Sequence, residues 1–342
     1  GGGVRVLQIG CGNFGAAHLA GWARIGLAGS LTVADPRPEL AEIVARHAPG
    51  AGVVADWHAA LAEADLVDVL TPTDTHYAIA AAVLDAGTPL FLEKPATPTA
   101  DEARDLLRRA EAGGVPAQIG MYLRFHPKGA ALKALIAEGA IGRVLHCSAR
   151  FVGMKRMRAD SGPLANDAVH FIDLILWLVG ATPMRVFATL RDDEARGHDD
   201  LATVQMRFPS GATALVEAGY RLPGVTPDPF TAGTLSTKEL VVTGTDGVAR
   251  FSLTEERLTV WRGRHRRVGA IFVPEYGEAE EIAAPAAEPP EVMARQFTHF
   301  LRVLRGEAEP IATLRDAGVA VAEVLDAARE SSRHDTVVGI TA

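Results

Sequence analysis

The most restrictive feature of the sequence is a short apolar run that leads directly into a glycine-rich turn. Residues 4–9 read VRVLQI, residues 10–15 read GCGNFG, and residues 16–25 have the composition of a helix. In a strand–G-x-G-x-x-G–helix unit, the first glycine permits a tight turn, the second lets the backbone approach a pyrophosphate, and the third allows close packing of helix on strand. The diphosphate would rest at the positive N-terminus of the helix. The turn predicts that a dinucleotide is bound by Gly10, Gly12, Asn13, Phe14 and Gly15.

An acidic residue follows at the spacing that such a site requires. The next predicted strand, residues 30–34, ends in Asp35, twenty residues after Gly15. A carboxylate in this place accepts hydrogen bonds from the adenosine ribose and repels the 2′-phosphate of NADP, which favours NAD. Arg37 keeps NADP open as the alternative cofactor, because its guanidinium could hold that phosphate or stack on the adenine.

Strands and helices continue to alternate up to residue 119, which is typical of a parallel sheet built from βαβ units. The further strands are predicted at 51–54, 65–71, 90–92 and 115–119, and the helices at 39–47, 56–62, 75–86 and 100–112. The chain is therefore predicted to be α/β, with a doubly wound Rossmann domain in residues 1–120 and a second, substrate-binding and oligomerisation domain in residues 121–342.

A lysine stands at the end of one of these strands. Leu90, Phe91 and Leu92 indicate a buried parallel strand, and Glu93, Lys94 and Pro95 follow it directly. Ligands of open α/β sheets bind outside the carboxyl ends of the strands. Lys94 is accordingly predicted to lie between the dinucleotide and a reacting alcohol or carbonyl group, as in a dehydrogenase.

The second half of the chain changes in pattern. Residues 202–208 and 212–220 alternate between apolar and polar side chains, and turns are predicted at 209–211 and 245–247, so several antiparallel strands are expected between 184 and 273. A Pro/Glu/Ala-rich linker is predicted for 275–290. Two terminal helices, near 292–304 and 314–331, follow it and could pack back on the first domain.

One predicted helix of the second half carries chemistry. Apolar residues recur at helical spacing from Asn166 to the closing Gly180, and His170 lies four residues after Asn166 and three after Asp167. A histidine on a helix is ordinarily a structural residue, so its role depends on the surrounding match.

The motifs around Lys94 resemble those of the Gfo/Idh/MocA oxidoreductase family. The residues that carry the resemblance are Thr71-Pro72-Thr73-Asp74-Thr75-His76, an Ala-rich helix, and Glu93-Lys94-Pro95; the family usually has Asn where Thr73 stands. The resemblance implies a Rossmann domain followed by an α/β domain with a large, open, mainly antiparallel sheet. It also implies that Thr71, Pro72, Thr73, His76 and Glu93 serve the cofactor, that Lys94 contacts the nicotinamide ribose and the reacting hydroxyl, and that the Lys94–Pro95 bond is often cis.

The helix with His170 is similar to the family's D-x-x-x-H-x-x-D helix, whose His and upstream Asp flank the reacting carbon. This chain departs from that pattern, because Asn166 stands four residues before His170 and the acid is Asp167. Either residue could partner His170, and Asp173 is expected to be structural. Arg124, in a segment common where the family's chain enters its second domain, could bind substrate or cofactor or could pin the joint between the domains.

These patterns predict reversible hydride transfer between NAD(P) and a carbinol carbon of a sugar, sugar derivative or cyclitol. Lys94, His170, Asp167 and Asn166 are the predicted catalytic residues, and Lys94, Arg124, Asn166 and His170 the predicted substrate ligands. The alternatives are an NAD-dependent glycosidase or epimerase with transient oxidation, and a dinucleotide-binding regulator without catalysis. An anionic or nucleotide-linked sugar stays open, because Arg124, Lys155, Arg156 and Arg158 could bind one.

Composition argues against several other classes of function. The net charge is −8 and no basic tract is sustained, so no nucleic-acid partner is expected. Two cysteines form no disulfide framework or zinc cluster, and no metal site is predicted. No apolar run reaches the roughly 18 residues of a membrane span, and no signal peptide is evident, so a cytoplasmic homodimer or homotetramer without membrane contact is expected.

Overall fold

The computed structural model describes residues 3–255 and 257–341, which group into two compact units. The first unit extends from the N-terminus to Phe125 and also contains Ala287–Ala322. The second unit comprises His126–Ala286 and the chain from Glu323 onward.

The first unit is built on a six-stranded parallel sheet whose strand order is β3-β2-β1-β4-β5-β6. Its strands are Val6–Ile9 (β1), Leu31–Ala34 (β2), Gly52–Val54 (β3), Leu66–Val69 (β4), Leu90–Glu93 (β5) and Ala117–Gly120 (β6). All residues of β1 and β4 are buried, as expected for strands that helices cover on both faces. This order is the doubly wound one, with its switch point between β1 and β4, and the predicted Rossmann fold is confirmed.

Helices complete the first unit. They are Gly15–Arg24 (α1), Leu40–His47 (α2), Trp57–Leu61 (α3), Thr73–Asp85 (α4), Ala100–Gly113 (α5), Tyr122–Phe125 (α6) and Pro289–Leu304 (α9), with a 3₁₀ turn at Ala28–Ser30 and a π-helical turn at Leu314–Val319. Helices α1 and α9 are in close contact: the rings of Trp22 and Phe297 stack at 3.7 Å, and a Cβ on Gly21 would lie 2.7 Å from the Cβ of Met293. Helix α9 therefore holds the glycine turn's helix in place.

The second unit contains a ten-stranded, mostly antiparallel sheet. Its main path runs β15-β14-β13-β12-β7-β10-β9-β8-β16, and β11 pairs with β12. The strands are Val144–Gly153 (β7), Arg185–Arg191 (β8), Leu201–Arg207 (β9), Thr213–Gly219 (β10), Thr226–Pro227 (β11), Leu235–Gly244 (β12), Gly247–Ser252 (β13), Arg257–Val268 (β14), Ile271–Ala283 (β15) and Val338–Gly339 (β16). Only the pairing of β7 with β10 is parallel among those described for this sheet.

Further helices belong wholly or mainly to the second unit. They are Pro127–Ala137 (α7), Val169–Val179 (α8), which a π-helical turn at Leu164–Ala168 precedes, and Ala320–His334 (α10), whose residues from Glu323 onward are counted with the second unit. Alternation along β12 buries Ser236, Lys238, Leu240 and Val242. Phe171 of α8 contacts the ring of Phe151 on β7 at 5.7 Å, so α8 packs on the buried face of the sheet.

The prediction of a linker over 275–290 is wrong for its first part, because residues up to 283 form strand β15. Strands β14 and β15 make a long hairpin whose side chains are largely exposed. Glu275 pairs with Arg264 and Arg266, and Glu280 pairs with Arg262 across the hairpin. Such cross-strand pairs stabilise a polar ribbon whose composition alone resembles a linker.

In the two described ranges of the chain, no helix combines the length and apolarity needed to cross a membrane.

Candidate active site

The glycine turn joins β1 to α1 in the first unit. Gly10 has φ +99°, and a Cβ there would lie 2.9 Å from the backbone of Leu70 and Thr71. A Cβ on Gly15 would lie 2.9 Å from the Sγ of Cys11, whereas one on Gly12 would have no atom within 4 Å. Gly10 and Gly15 are thus required by the protein's own packing, and Gly12 leaves an open face of backbone toward which a ligand could come. Asn13 and Phe14 complete the turn, and α1 begins without a side-chain cap.

Asp35, at the end of β2, is tied to the glycine turn. Its Oδ2 accepts a 2.8 Å hydrogen bond from the backbone N–H of Cys11, and its Oδ1 accepts from the backbone N–H and the Nε of Arg37, at 3.0 and 2.7 Å. Burial raises the pKa of this carboxyl, but the hydrogen bonds from Arg37 and Cys11 outweigh burial and lower the pKa below its usual value. Asp35 is therefore an ionised carboxylate beside the turn, and the charge of Arg37 is paired with it.

His76 braces two loops at the carboxyl ends of β4 and β5. Its Nε2 lies 2.8 Å from the carbonyl oxygen of Thr71, and its Nδ1 lies 3.0 and 3.2 Å from those of Pro95 and Ala96. The ring is 1% exposed, and burial lowers the pKa of His76 despite these carbonyl contacts. His76 holds the loop that contains Thr71, Pro72 and the start of α4 at Thr73 against the segment after Lys94, whose peptide bond to Pro95 is cis.

Glu93 is the last residue of β5, and Lys94 follows it at the carboxyl edge of the sheet. The Oε2 of Glu93 accepts a 3.0 Å hydrogen bond from the backbone N–H of Lys94, and its Oε1 lies 2.9 Å from the Nε2 of His18. The other ring nitrogen of His18 lies 2.8 Å from Asp68. Sequence reasoning missed His18, although it follows Gly15 by three residues on the inward face of α1.

The predicted catalytic residues of the second unit belong to one cluster. Asn166 and Asp167 lie in the π-helical turn, and His170 lies in the first turn of α8, so the regular helical spacing that was predicted from Asn166 is not kept. The ring of His170 stacks on that of Phe151, with the centroids 5.5 Å apart and the planes 17° from parallel.

The carboxylate of Asp167 contacts a lysine. The Nζ of Lys155 lies 3.0 Å from Oδ1 and 2.9 Å from Oδ2 of Asp167, which is 5% exposed. The same ammonium lies 5.5 Å from the ring centroid of Phe151 and 5.2 Å from that of Tyr220. The sequence suggested Lys155 only as a cation that could bind an anionic sugar, and its pairing with Asp167 had no local signal.

Asn166 and Tyr220 form the polar side of this cluster. The Nδ2 of Asn166 donates to the Oγ of Ser161 at 2.6 Å and to the hydroxyl of Tyr220 at 2.7 Å. Burial, and then the charge of Asp167, raises the pKa of Tyr220, so this residue is a neutral phenol. Hydroxyl and amide groups of this kind can exchange hydrogen bonds with the hydroxyl groups of a polyol.

Arg124 lies in the first unit and is almost fully buried. Its Nη1 donates to the Oδ2 of Asp316 at 2.7 Å, which links α6 to the π-helical turn at Leu314–Val319. In the loop before the second cluster, Arg158 forms a two-point pair with Asp160. No cluster of three or more metal-ligating side chains occurs in residues 3–255 and 257–341.

The doubly wound sheet and its glycine turn define the class: a protein with a Rossmann domain of the dinucleotide-binding type. Two family models match the chain and make the class specific. Residues 4–121 match the oxidoreductase family's NAD-binding Rossmann fold, and residues 130–250 match the C-terminal domain of the same family. The chain belongs to the Gfo/Idh/MocA family, and its first domain is the NAD-binding domain of that family.

Curated relatives and solved structures agree with this assignment. The chain is 34% identical to inositol 2-dehydrogenase of Mycolicibacterium gilvum over 183 residues, which is 52% of this chain and 52% of the relative. It is 26% identical to D-apiose dehydrogenase of Paraburkholderia graminis over 319 residues, which is 90% of this chain and 82% of the relative. The match thus spans about half the length of the first relative and most of the second.

A solved structure of levoglucosan dehydrogenase in complex with NADH and levoglucosan superposes with a TM-score of 0.81 and 23% identity, covering 98% of this chain and 99% of that one. At this identity the likeness establishes the fold alone. It includes both the Rossmann sheet and the large mixed sheet, as the sequence predicted.

Proposed function

We propose that this protein is an NAD-dependent dehydrogenase that oxidises, or in reverse forms, a secondary alcohol of a neutral sugar or cyclitol. The observation that carries the proposal is the position of Lys94 directly after β5. The glycine turn and Asp35 also follow the carboxyl ends of their strands, β1 and β2, so all three lie at one edge of the parallel sheet. An amine in that position of a doubly wound sheet lies where the nicotinamide half of the cofactor binds. The named activities of the relatives, on inositol and D-apiose, support the class of substrate.

The chain's own residues bind the cofactor, orient the substrate and transfer a proton. When bound, NAD supplies the carbon that accepts or returns a hydride. Gly12 and the N-terminus of α1 would hold the diphosphate. Asp35 would accept hydrogen bonds from the adenosine ribose hydroxyls and repel a 2′-phosphate, which favours NAD over NADP. Lys94 polarises the reacting oxygen, and His170 takes the hydroxyl proton during oxidation or gives it back during reduction. Hydride and proton leave the same CH–OH group, so a secondary alcohol is converted to a ketone.

The second cluster supports a neutral substrate over an anionic one. Three of the four cations that could have bound an anionic sugar are paired with carboxylates: Lys155 with Asp167, Arg158 with Asp160, and Arg124 with Asp316. An anion that bound at any of these three cations would have to displace its carboxylate partner. The hydroxyl of Tyr220, the amide of Asn166 and the imidazole of His170 can exchange hydrogen bonds with hydroxyl groups at no cost in charge pairing.

The test is NAD⁺ reduction, followed at 340 nm, with inositols, pentoses, anhydrosugars, uronic acids and nucleotide sugars as candidate substrates. We expect turnover with a neutral polyol, and a loss of about 100-fold or more in kcat for Lys94→Ala and for His170→Ala, the usual scale of lost acid–base catalysis. Arg158→Gln, which removes an exposed ion pair in the adjacent loop, is the matched control and should keep its kcat.

Three other outcomes would each reject the proposal. Full activity of both Lys94→Ala and His170→Ala would remove the assigned residues. Product formation without net NADH would indicate transient oxidation, as in a glycosidase or epimerase. Tight NAD binding without turnover on any substrate would indicate a regulator.

A further inference from the structure

A buried histidine lies between two carboxylates beneath the cofactor edge of the first unit. His18 on α1 has no exposed surface, its Nδ1 is 2.8 Å from the Oδ2 of Asp68 on β4, and its Nε2 is 2.9 Å from the Oε1 of Glu93 on β5. An ionised carboxylate only accepts hydrogen bonds. Because each short contact needs a hydrogen, an imidazolium that donates from both nitrogens satisfies both contacts at once.

The surroundings of His18 make a charged form costly unless it is paired. The rings of Phe14, Phe91 and Phe297 lie around it, with centroids 5.5 to 6.0 Å from that of the imidazole. Burial by itself lowers the pKa of His18, but the charge of Asp68 and the hydrogen bonds with Asp68 and Glu93 outweigh burial and raise the pKa to about 10.

The carboxylate of Glu93 is fixed on both of its oxygens. His18 contacts Oε1, and the backbone N–H of Lys94 donates to Oε2 at 3.0 Å. A Cβ on Gly120 would lie 2.6 Å from Oε1, so only glycine at the end of β6 leaves room for this orientation. The side chain of Asp68 is fully buried, whereas that of Glu93 is 12% exposed. Of these two carboxylates, Glu93 is therefore the one with exposed surface, at the end of β5.

We propose that His18 is a positioning residue that fixes the carboxylate of Glu93 beside the nicotinamide, so that the site binds the cationic ring of NAD⁺ in preference to the neutral ring of NADH. This inference rests on the proposed function, since it assumes that the nicotinamide half lies at β4 and β5. That half of a doubly wound sheet is opposite to the adenosine half, which Asp35 marks on β2. A fixed carboxylate near a ring that changes by one unit of charge alters the relative affinity of the two redox forms.

The other groups around the cluster leave this assignment intact. Trp22 of α1 donates its Nε1–H to Asp68 at 2.9 Å, and α9 contributes the apolar ring of Phe297. Burial lowers the pKa of His76 on α4, and the charge of Glu93 opposes this effect. In the described contacts of the three groups, His18 supplies the positive charge between the two carboxylates.

The decisive variant is His18→Gln, which keeps a hydrogen-bonding side chain but removes the cation. The amide nitrogen of glutamine can donate to one of the two carboxylates but cannot bridge both, so Glu93 loses its fixed orientation. We therefore expect the ratio of the NADH to the NAD⁺ dissociation constant to fall by about tenfold or more in His18→Gln, compared with wild-type protein at the same pH. Titration calorimetry with each redox form measures both constants.

Two further variants make the test independent of folding defects. Glu93→Gln removes the carboxylate itself, so it should lower the preference for NAD⁺ by a similar factor. Trp22→Phe perturbs the same buried region and removes the hydrogen bond to Asp68 but leaves the contact between His18 and Glu93, so its ratio should stay at the wild-type value.

The outcomes separate this inference from the proposed function. A folded His18→Gln or Glu93→Gln protein with the wild-type ratio would overturn the inference while wild-type NAD binding still stood. Failure of the wild-type protein to bind either redox form would reject the proposed function itself.

Discussion

Substituting the first and second glycines of the turn by alanine should separate stability from cofactor binding. Gly10 has φ +99°, a region that costs a residue with a Cβ about 1–2 kcal/mol. The new Cβ would also lie 2.9 Å from the backbone of Leu70 and Thr71, and relieving such overlap in a packed region costs about 1–3 kcal/mol. We therefore expect Gly10→Ala to lower the free energy of unfolding of the first unit by about 2–5 kcal/mol.

Gly12→Ala is the matched control, because its Cβ would meet no atom within 4 Å. Its effect on stability should stay within about 0.5 kcal/mol. Its methyl group would instead occupy the open face of the turn and weaken hydrogen bonds to the diphosphate, which are worth about 1.5–3 kcal/mol for a charged group, so NAD affinity should fall about ten- to hundredfold.

Urea unfolding followed by tryptophan fluorescence reports the first effect, since Trp22 is fully buried in the first unit. Titration calorimetry with NAD⁺ reports the second. The reasoning is refuted if Gly10→Ala is as stable as wild type, or if Gly12→Ala loses as much stability as Gly10→Ala.

Three further predictions concern charged groups. Lys155→Met leaves Asp167 buried without its cation and should lower the free energy of unfolding by about 1–3 kcal/mol, part of which the double variant with Asp167→Asn should recover. A double-mutant cycle by urea unfolding measures the coupling energy, and a coupling energy of zero would count against the ion pair. The pKa of Asp35 is lowered in the folded protein, so its stabilisation is present above about pH 3.9 and lost as the pH falls through the folded-state pKa; the stability deficit of Asp35→Asn should disappear in acid, and a pH-independent deficit would contradict this. The pKa of His18 is raised to about 10, so its stabilisation is complete below about pH 6.5 and lost as the pH rises through 10; the deficit of His18→Gln should shrink with rising pH, and a growing deficit would show that His18 is buried neutral.

The Rossmann half could be predicted from the sequence because its signals are local. Each signal directly follows a short strand: the glycine turn follows β1, the acid follows β2 and the lysine follows β5. The sheet order follows from right-handed crossovers. The roles of Gly10 and Gly15 in close packing were likewise foreseeable from spacing. The assignments of the individual site residues to cofactor and substrate remain predictions that the experiments above address.

The buried charge cluster could not be predicted, because its partners are distant in sequence. His18 is separated by 50 residues from Asp68 and by 75 from Glu93. A histidine among apolar helix positions gives no sign of which carboxylates it will meet. The same is true of Lys155, whose contact with Asp167 depends on how β7, the following loop and the π-helical turn come together.

The hairpin of β14 and β15 was mispredicted for a related reason. Glu275 and its neighbours have a linker's composition, and their strand state depends on arginines on the facing strand. Exposed pairs of this kind are worth about 0.2–1 kcal/mol each and become visible only when the register is known. Exposed apolar side chains on the same hairpin, such as Phe272 and Tyr276, leave the predicted homodimer or homotetramer to be tested by light scattering.

The stacking of Trp22 on Phe297 has a consequence for how the protein is made. The helix after the glycine turn is covered by α9, which the ribosome synthesises only after the whole ten-stranded sheet except its last, two-residue strand. Until then, the indole of Trp22 and the surface at Gly21 are not covered in the nascent Rossmann fold. The N-terminal half is therefore expected to await the arrival of residues 287–322 before it reaches full stability, and the order of translation does not set the order of folding.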